Sequence, residues 1–405
     1  MNERLECVTC GKRYPVDKVR YTCDCGGLLN FERDTPQVGR ELFDKRRATA
    51  RVPVDQSGVW RFREALMDVD LSAIVTHPEG STRLYERGGI WFKHEGENPT
   101  GSFKDRGMTV AVTQAVRLGA TAVACASTGN TSASLAAYAA QAGLRAVVFV
   151  PSGKISAGKL AQTLAYGALC LQIRGDFDTA MRLVREVCDR SGIYLLNSIN
   201  PFRIEGQKTI VWELLQDLDW NPPDWIVLPA GNLGNTSAFG KALREASAAG
   251  WIDRLPRIAA IQAAGANPFF RSFSEDFATR HRVTAETVAS AIRIGNPVSY
   301  DKAVAAIRLT NGLVAQVTDE ELMRAKREID RMGIGCEPAS ATTLAGVRKL
   351  RSDGVMKPGE RIACVLTGNL LKDPDAVMKT IDREQIVEVD ATIAAVERAI
   401  TPPLL

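Results

Sequence analysis

Short apolar runs alternating with amphipathic stretches predict an α/β protein with mainly parallel sheets joined by right-handed crossovers. The runs are continuous rather than alternating, as strands buried on both faces are. The stretches between them carry the helical period. Several junctions after the runs are rich in Gly, Ser, Thr and Asn, and open α/β sheets bind ligands at such strand ends.

In chain order, the first element is a cysteine-bearing segment, residues 1–34. Its spacing, Cys7-x2-Cys10-x12-Cys23-x-Cys25, suits a tetrahedral zinc ribbon in which each knuckle offers two thiolates. The second knuckle is one residue short. Two readings stay open: a ribbon that binds structural zinc, and a vestigial one that folds against the next domain. The segment holds six bases and six acids, a sum of zero before any thiolate is counted, unlike a DNA-binding ribbon. Residues 35–75 mix charges and read as a linker with short helices. Ile90–Lys93, Ala122–Cys125, Ala146–Val150, Trp225–Leu228, Ile258–Ile261 and Ile362–Leu366 then read as buried strands. Residues 131–142, 156–167, 178–191, 206–217 and 319–331 read as helices. The end near Thr401-Pro402-Pro403 reads as frayed.

Composition removes several function classes. A chain of 405 residues suggests two or three domains. Its 51 Lys and Arg against 47 Asp and Glu leave +4, too little for a nucleic-acid or membrane-surface binder. No run approaches the ~18 apolar residues of a membrane span, and the first residues do not read as a signal peptide. The other five cysteines (Cys125, Cys170, Cys188, Cys336, Cys364) stand singly in apolar or helical surroundings, as reduced core thiols of a cytoplasmic protein do. With three histidines in all (His77, His94, His281), a histidine-driven mechanism fits poorly. His94 reads as a strand-end residue, since no second histidine follows at zinc-protease spacing.

Three junctions carry chemistry: Ser127-Thr128-Gly129-Asn130-Thr131-Ser132, Pro229-Ala230-Gly231-Asn232-Leu233-Gly234-Asn235-Thr236-Ser237 and Thr367-Gly368-Asn369. Each can aim backbone N–H groups and a positive helix end at an anion. One alone would read as an N-cap with turn glycines; three point to ligand binding. The second lacks the Walker lysine and the dinucleotide spacing. The most informative segment is Asn98-Pro99-Thr100-Gly101-Ser102-Phe103-Lys104-Asp105-Arg106-Gly107. Asn-Pro-Thr-Gly is turn chemistry, and Ser102 with Asp105 reads as a capping box. Lys104 then falls in the first helical turn, where the dipole favours its neutral amine, the form a carbonyl-binding lysine needs. A surface lysine at a charged helix start is the other reading of that local sequence.

This segment resembles the lysine motif of the tryptophan-synthase-β-like pyridoxal-phosphate enzymes (fold type II), in the form seen in the threonine synthase group. The likeness extends to the 127–134 loop, Gly153-Lys154-Ile155, Asn197-Ser198-Ile199-Asn200-Pro201-Phe202-Arg203, Ile292-Arg293-Ile294-Gly295-Asn296-Pro297, Cys336-Glu337-Pro338-Ala339-Ser340-Ala341 and the 366–374 ending. It implies two open, mainly parallel sheets flanked by helices: a large domain of 35–105 with 195–385, a small mobile domain of 106–194, and a tail of 386–405. It implies that Lys104 binds pyridoxal 5'-phosphate covalently and later moves protons. Asn130 would bond the cofactor's phenolic oxygen, and Gly231, Asn232, Leu233, Gly234 and Asn235 would cradle its phosphate. Thr367 would face the ring nitrogen, where a hydroxyl does not keep that nitrogen protonated. Ser127, Thr128, Gly129 and Thr131 would receive the substrate carboxylate. Asn197, Ser198 and Arg203, with Asn232 nearby, would meet the substrate phosphate, Arg203 by its planar fork. Otherwise Arg203 would pair with Glu205 or Glu213 at the helix start.

The implied enzyme is a carbon–oxygen lyase, a homodimer, turning O-phospho-L-homoserine and water into L-threonine and phosphate. Two relatives in chemistry stand beside it: β-replacement on O-phosphoserine, as in cysteate synthase, and a serine/threonine dehydratase, for which a phosphate anchor would have no purpose. From another class, a non-catalytic regulatory or scaffold protein would not need Lys104, Asn130 and Thr367 together.

Overall fold

The computed structural model describes residues 3–152, 157–175, 177–378 and 386–400. Strands β1 (Arg4–Cys7), β2 (Arg13–Tyr14) and β3 (Leu29–Glu32) form a small antiparallel sheet in the order β2-β1-β3. Leu5, Cys7, Leu29 and Phe31 turn inward at the two-residue strand period. The Phe31 ring meets that of Phe202 at 5.4 Å between centroids, and Lys302 donates to the Leu29 carbonyl at 2.6 Å.

Residues 35–75 are more than a linker. Their helix Arg40–Thr49 and the turns after it bring Phe43, Trp60 and Phe62 into the core, fully buried. Phe43, Phe62, Trp212 and Trp251 meet edge to face at 5.0 to 5.7 Å, a contact four separate segments contribute to. Mixed charge in the sequence masked these few large anchors.

Next come β4 (Leu84–Arg87) and β5 (Ile90–His94), paired antiparallel; β6 (Ala122–Ala126), β7 (Arg145–Pro151), β8 (Leu169–Ile173) and β9 (Tyr194–Leu195); then β10 (Trp225–Pro229), β11 (Arg257–Ala263), β12 (Leu313–Val317) and β13 (Ile362–Leu366). They make a six-stranded sheet, β12-β11-β10-β13-β5-β4, and a four-stranded one, β8-β7-β6-β9. Every pairing in these two sheets except β4 with β5 is parallel. The continuous apolar runs are thus central strands, and β5 ends at His94 as expected. β8 escaped the pattern because it is a half-exposed edge, and β9 because it has two residues.

The strand orders locate the ligand site. After β10 the chain runs outward through β11 and β12, then returns to place β13 on the other side of β10. In the smaller sheet it runs outward through β7 and β8, then places β9 on the other side of β6. Each reversal opens a crevice at the strand carboxyl ends, the topological switch point of an open α/β sheet. Gly231 and Thr367 follow the strands of one crevice; Ser127 and Asn197 follow those of the other.

Candidate active site

Both crevices open into one cavity of about 1700 Å³. Lys104, Ser127, Thr128, Gly129, Asn130, Thr131, Asn197, Ser198, Arg203, Gly231, Asn232, Leu233, Gly234, Asn235 and Thr367 all line it. They come from positions spread over more than half the chain. Gly153-Lys154-Ile155 lies outside the described residues.

Lys104 opens the helix Lys104–Arg117. Its amine is drawn down to about 7, first by loss of solvent, then by the positive Arg203, with Glu337 opposing. The helix start was a weaker reason than the burial and the neighbouring cation, which arise from distant segments. The expected capping box does not form. The helix has no side-chain cap, Ser102 Oγ is buried without a partner, and Asp105 accepts from Thr100 N at 2.7 Å and Thr100 Oγ1 at 2.6 Å. Asp105 therefore ties the Asn98–Gly101 turn instead of the helix end, and burial lifts its carboxyl to about 6.

The Lys104 helix is held by a close crossing with the helix Pro201–Asp217. A Cβ at Gly206 would stand 1.7 Å from the Arg106 carbonyl oxygen, and one at Gly107 would stand 2.8 Å from that of Arg203. Behind the crossing, buried Arg106 reaches Glu95 at 2.6 Å and Glu213 at 2.9 Å, and Glu213 also pairs with Arg61 and Lys93. Removing one partner of such a network would strand a buried charge.

Arg203 stands apart from it. Glu205 is taken by Lys208 and Lys241, and Glu213 by the cations just named, so the alternative pairing is not made. Arg203 is 3 % exposed, donates to the Leu196 carbonyl at 3.2 Å, and leaves Nε without a partner. Among the described residues no carboxylate pairs with it, and desolvation lowers it to about 10. A buried cation facing a cavity in this state suits an anionic ligand.

Two of the three junctions leave N–H groups open toward an anion; at the third the expectation fails, because Thr367 N and Gly368 N donate to Ser340 Oγ and Asn369 N donates to the Gly101 carbonyl. The helix Asn130–Gln141 starts at the 127–131 loop, and its first N–H groups have no intrahelical acceptor. The helix Gly234–Ala248 starts at the glycine loop, where Leu233 holds the left-handed conformation at φ +64°. Gly231 passes so near Ile292 that a Cβ would lie 2.9 Å from its Cα. Asn235 Oδ1, at the same wall, is buried without a partner. A cradle of free N–H groups at a helix start fits a phosphate, and an amine drawn well below the ordinary lysine value fits an aldehyde, so the residues suit pyridoxal phosphate.

Two expected ligands are already engaged. Asn197 Oδ1 accepts from Ala126 N at 3.0 Å and its Nδ2 donates to Ala126 O at 3.1 Å, which ties the end of β9 to the end of β6. One N–H of its amide is left over. Asn232 Nδ2 donates to Ser198 Oγ at 2.8 Å, tying the two crevices and leaving the serine proton free. The structure also adds residues that sequence reasoning did not place in the site. Glu337 contacts Asn130 and Thr367, and Lys372 donates to Thr100 O at 2.9 Å and to Gln162 Oε1 at 2.6 Å. Both lie within segments that carried the family likeness, which was the available signal.

The four cysteines of the ribbon converge. Their sulfurs lie within 4.8 Å of one another, with Cys7–Cys25, Cys10–Cys23 and Cys10–Cys25 at 3.5 to 3.6 Å. Sulfurs around tetrahedral zinc stand about 3.8 Å apart for bonds of about 2.3 Å. The short second knuckle still closes, and the cluster is compatible with zinc.

Fold and site together define a pyridoxal-phosphate-dependent enzyme, and the family model described as "Pyridoxal-phosphate dependent enzyme" matches residues 72–368. Threonine synthase of Methanocaldococcus jannaschii is 45% identical over 400 residues, 96% of this chain and 97% of that protein. That of Methanosarcina acetivorans is 47% identical over 408 residues, 98% of each. The chain belongs to the threonine synthase family. The crystal structure of threonine synthase from Escherichia coli superposes with a TM-score of 0.73 over 98% of this chain and 95% of that one, at 20% identity, a likeness of fold.

Proposed function

We propose that the chain converts O-phospho-L-homoserine and water into L-threonine and phosphate in the cavity between the two sheets. The observation that carries the substrate assignment is Arg203, a buried guanidinium that has no acidic partner among the described residues and lines the same cavity as Lys104. A dehydratase substrate has no phosphate to hold there.

Pyridoxal phosphate, when bound, supplies an electron sink for the charge left as protons depart from the substrate carbons. Lys104 Nζ would hold it, Gly231 to Asn235 would cradle its phosphate, and Asn130 and Thr367 would meet the two edges of its ring. Lys104 Nζ would take the substrate's α proton and serve again as a proton carrier while the phosphate leaves. Its depressed basicity suits both directions of transfer near neutral pH. The N–H groups of Thr128, Asn130 and Thr131 receive the substrate carboxylate, while those of Ser127 and Gly129 donate to Phe149 O and Ser127 Oγ within the loop. Arg203, Ser198, Asn232 and the remaining N–H of Asn197 hold the leaving phosphate.

Water must enter only after the phosphate has left, so the site has to close. We assign residues 106–194 to a small domain that moves toward the large one (35–105 and 195–385), with 386–405 as a tail. Lys372–Gln162 and Asn130–Glu337 are contacts already made across the cleft. Nine unpaired thiols suit a reducing cytoplasm, and among the described residues no helix is long and apolar enough to cross a membrane. A homodimer is the assembly the family likeness implies, and sedimentation checks it. The deciding experiment supplies the holoenzyme with O-phosphohomoserine or, separately, with O-phosphoserine plus sulfite, and assays phosphate and amino-acid product. Threonine from the first alone supports the proposal; cysteate from the second alone overturns the substrate assignment.

A further inference from the structure

Glu337, the residue just before the helix Pro338–Ser352, joins two side chains assigned to opposite edges of the cofactor ring. Its Oε2 accepts from Asn130 Nδ2 at 2.9 Å, and its Oε1 meets Thr367 Oγ1 at 2.9 Å. The protons around Thr367 can be counted. Ser340 Oγ accepts from Thr367 N at 2.8 Å and Gly368 N at 3.3 Å, which uses both its lone pairs. Its own proton therefore goes to Thr367 Oγ1, 2.9 Å away. Thr367 is left with one proton and one lone pair to divide between Glu337 and the ring nitrogen. An ionised Glu337 takes that proton. A protonated Glu337 donates to the lone pair instead and frees the threonine proton for the nitrogen. At the other oxygen Asn130 donates in both states, which fixes its amide and leaves a second N–H for the phenolic oxygen.

We propose that Glu337 is a positioning residue, protonated in the working holoenzyme, that turns the Thr367 hydroxyl toward the cofactor's ring nitrogen and holds Asn130 at its phenolic oxygen. The inference rests on the assignments of Asn130 and Thr367 made above. The charged and titratable groups facing Glu337 are Lys104 from the Lys104–Arg117 helix, Lys372 from the turn after β13, and the neighbouring Cys336. Arg203 acts on Lys104, and Asp105 on Lys372, at one remove. Burial raises the Glu337 carboxyl; bonds from Asn130 and Thr367 and the two lysines oppose the rise without cancelling it.

Glutamine at this position reproduces the protonated acid: its oxygen accepts from Asn130 and its amide donates to Thr367. Glu337→Gln, Glu337→Leu and Thr367→Val are compared with the parent chain by cofactor dissociation constant and by visible absorbance from about pH 5 to about pH 9. E337Q is expected to bind pyridoxal phosphate within about twofold of the parent and to lack one proton-linked step in the absorbance that the parent shows. E337L is expected to bind at least about tenfold more weakly, because Asn130 and Thr367 lose their shared partner. T367V is expected to shift the band. E337Q as weak as E337L, or a titration superposing on the parent's, overturns the inference. A T367V protein with the parent's band and affinity overturns the Thr367 assignment instead, and the inference with it.

Discussion

Lys104 and Arg203 are two cations on one cavity; burial and the positive Arg203 hold the Lys104 amine low, while Arg203 itself is lowered by burial. The free amine is protonated below about 7 and neutral above it, so it becomes nucleophilic as pH rises through that value. Uptake of pyridoxal phosphate by the apoprotein should therefore accelerate across about pH 7; a midpoint near the ordinary lysine value would contradict the burial. Lys104→Ala should abolish the visible band of the bound cofactor, and a persisting band would refute the assignment. Arg203→Ala should leave that band in place and raise KM for the phosphorylated substrate by about 10- to 100-fold, given about 1.5–3 kcal/mol per charge-assisted bond. At this scale Lys104 was legible because its motif is contiguous. Glu337 was not, since its partners Asn130 and Thr367 stand 207 and 30 residues away.

At the scale of elements, the site is a set of helix starts brought together by two sheet reversals. The Lys104–Arg117 and Pro201–Asp217 helices fix the distance between the amine and the guanidinium through the Gly107–Gly206 crossing. Gly206→Ala should separate them. We expect a loss of about 2–4 kcal/mol in urea unfolding together with weaker cofactor binding. A variant with unchanged stability would mean that the crossing is loose. The central strands were readable because burial on both faces leaves uninterrupted apolar runs. Edge strand β8 was missed because exposure broke its pattern, and the capping box failed because Asp105 found a nearer use in the Asn98–Gly101 turn.

At the scale of the whole molecule, the ribbon ties the body together. Phe31 and Lys302 fasten it beside the larger sheet, while Tyr21 accepts from Leu195 N at 2.7 Å at the end of the smaller one. Gln114 of the Lys104 helix donates to Val16 O at 2.8 Å. Metal that holds the four cysteines would therefore stabilise contacts well beyond the ribbon. Elemental analysis should find one zinc per chain. A chelator should release it and lower Tm, and Cys10→Ser should do the same; a chain without metal whose Tm ignores the chelator would support the vestigial ribbon.

The sequence by itself determined the class of fold and singled out the lysine motif, the loops at 127–132 and 229–237 and the four-cysteine spacing, because each is written in neighbouring residues with its own local physics. Tertiary structure alone decided how those pieces act on one another. It drew the Lys104 amine down through burial and Arg203, left Arg203 without a carboxylate partner among the described residues by giving Glu205 and Glu213 other cations, and placed Glu337 between Asn130 and Thr367. Such effects depend on which distant groups share a dry cavity, where charges and hydrogen bonds act strongly over a few ångströms.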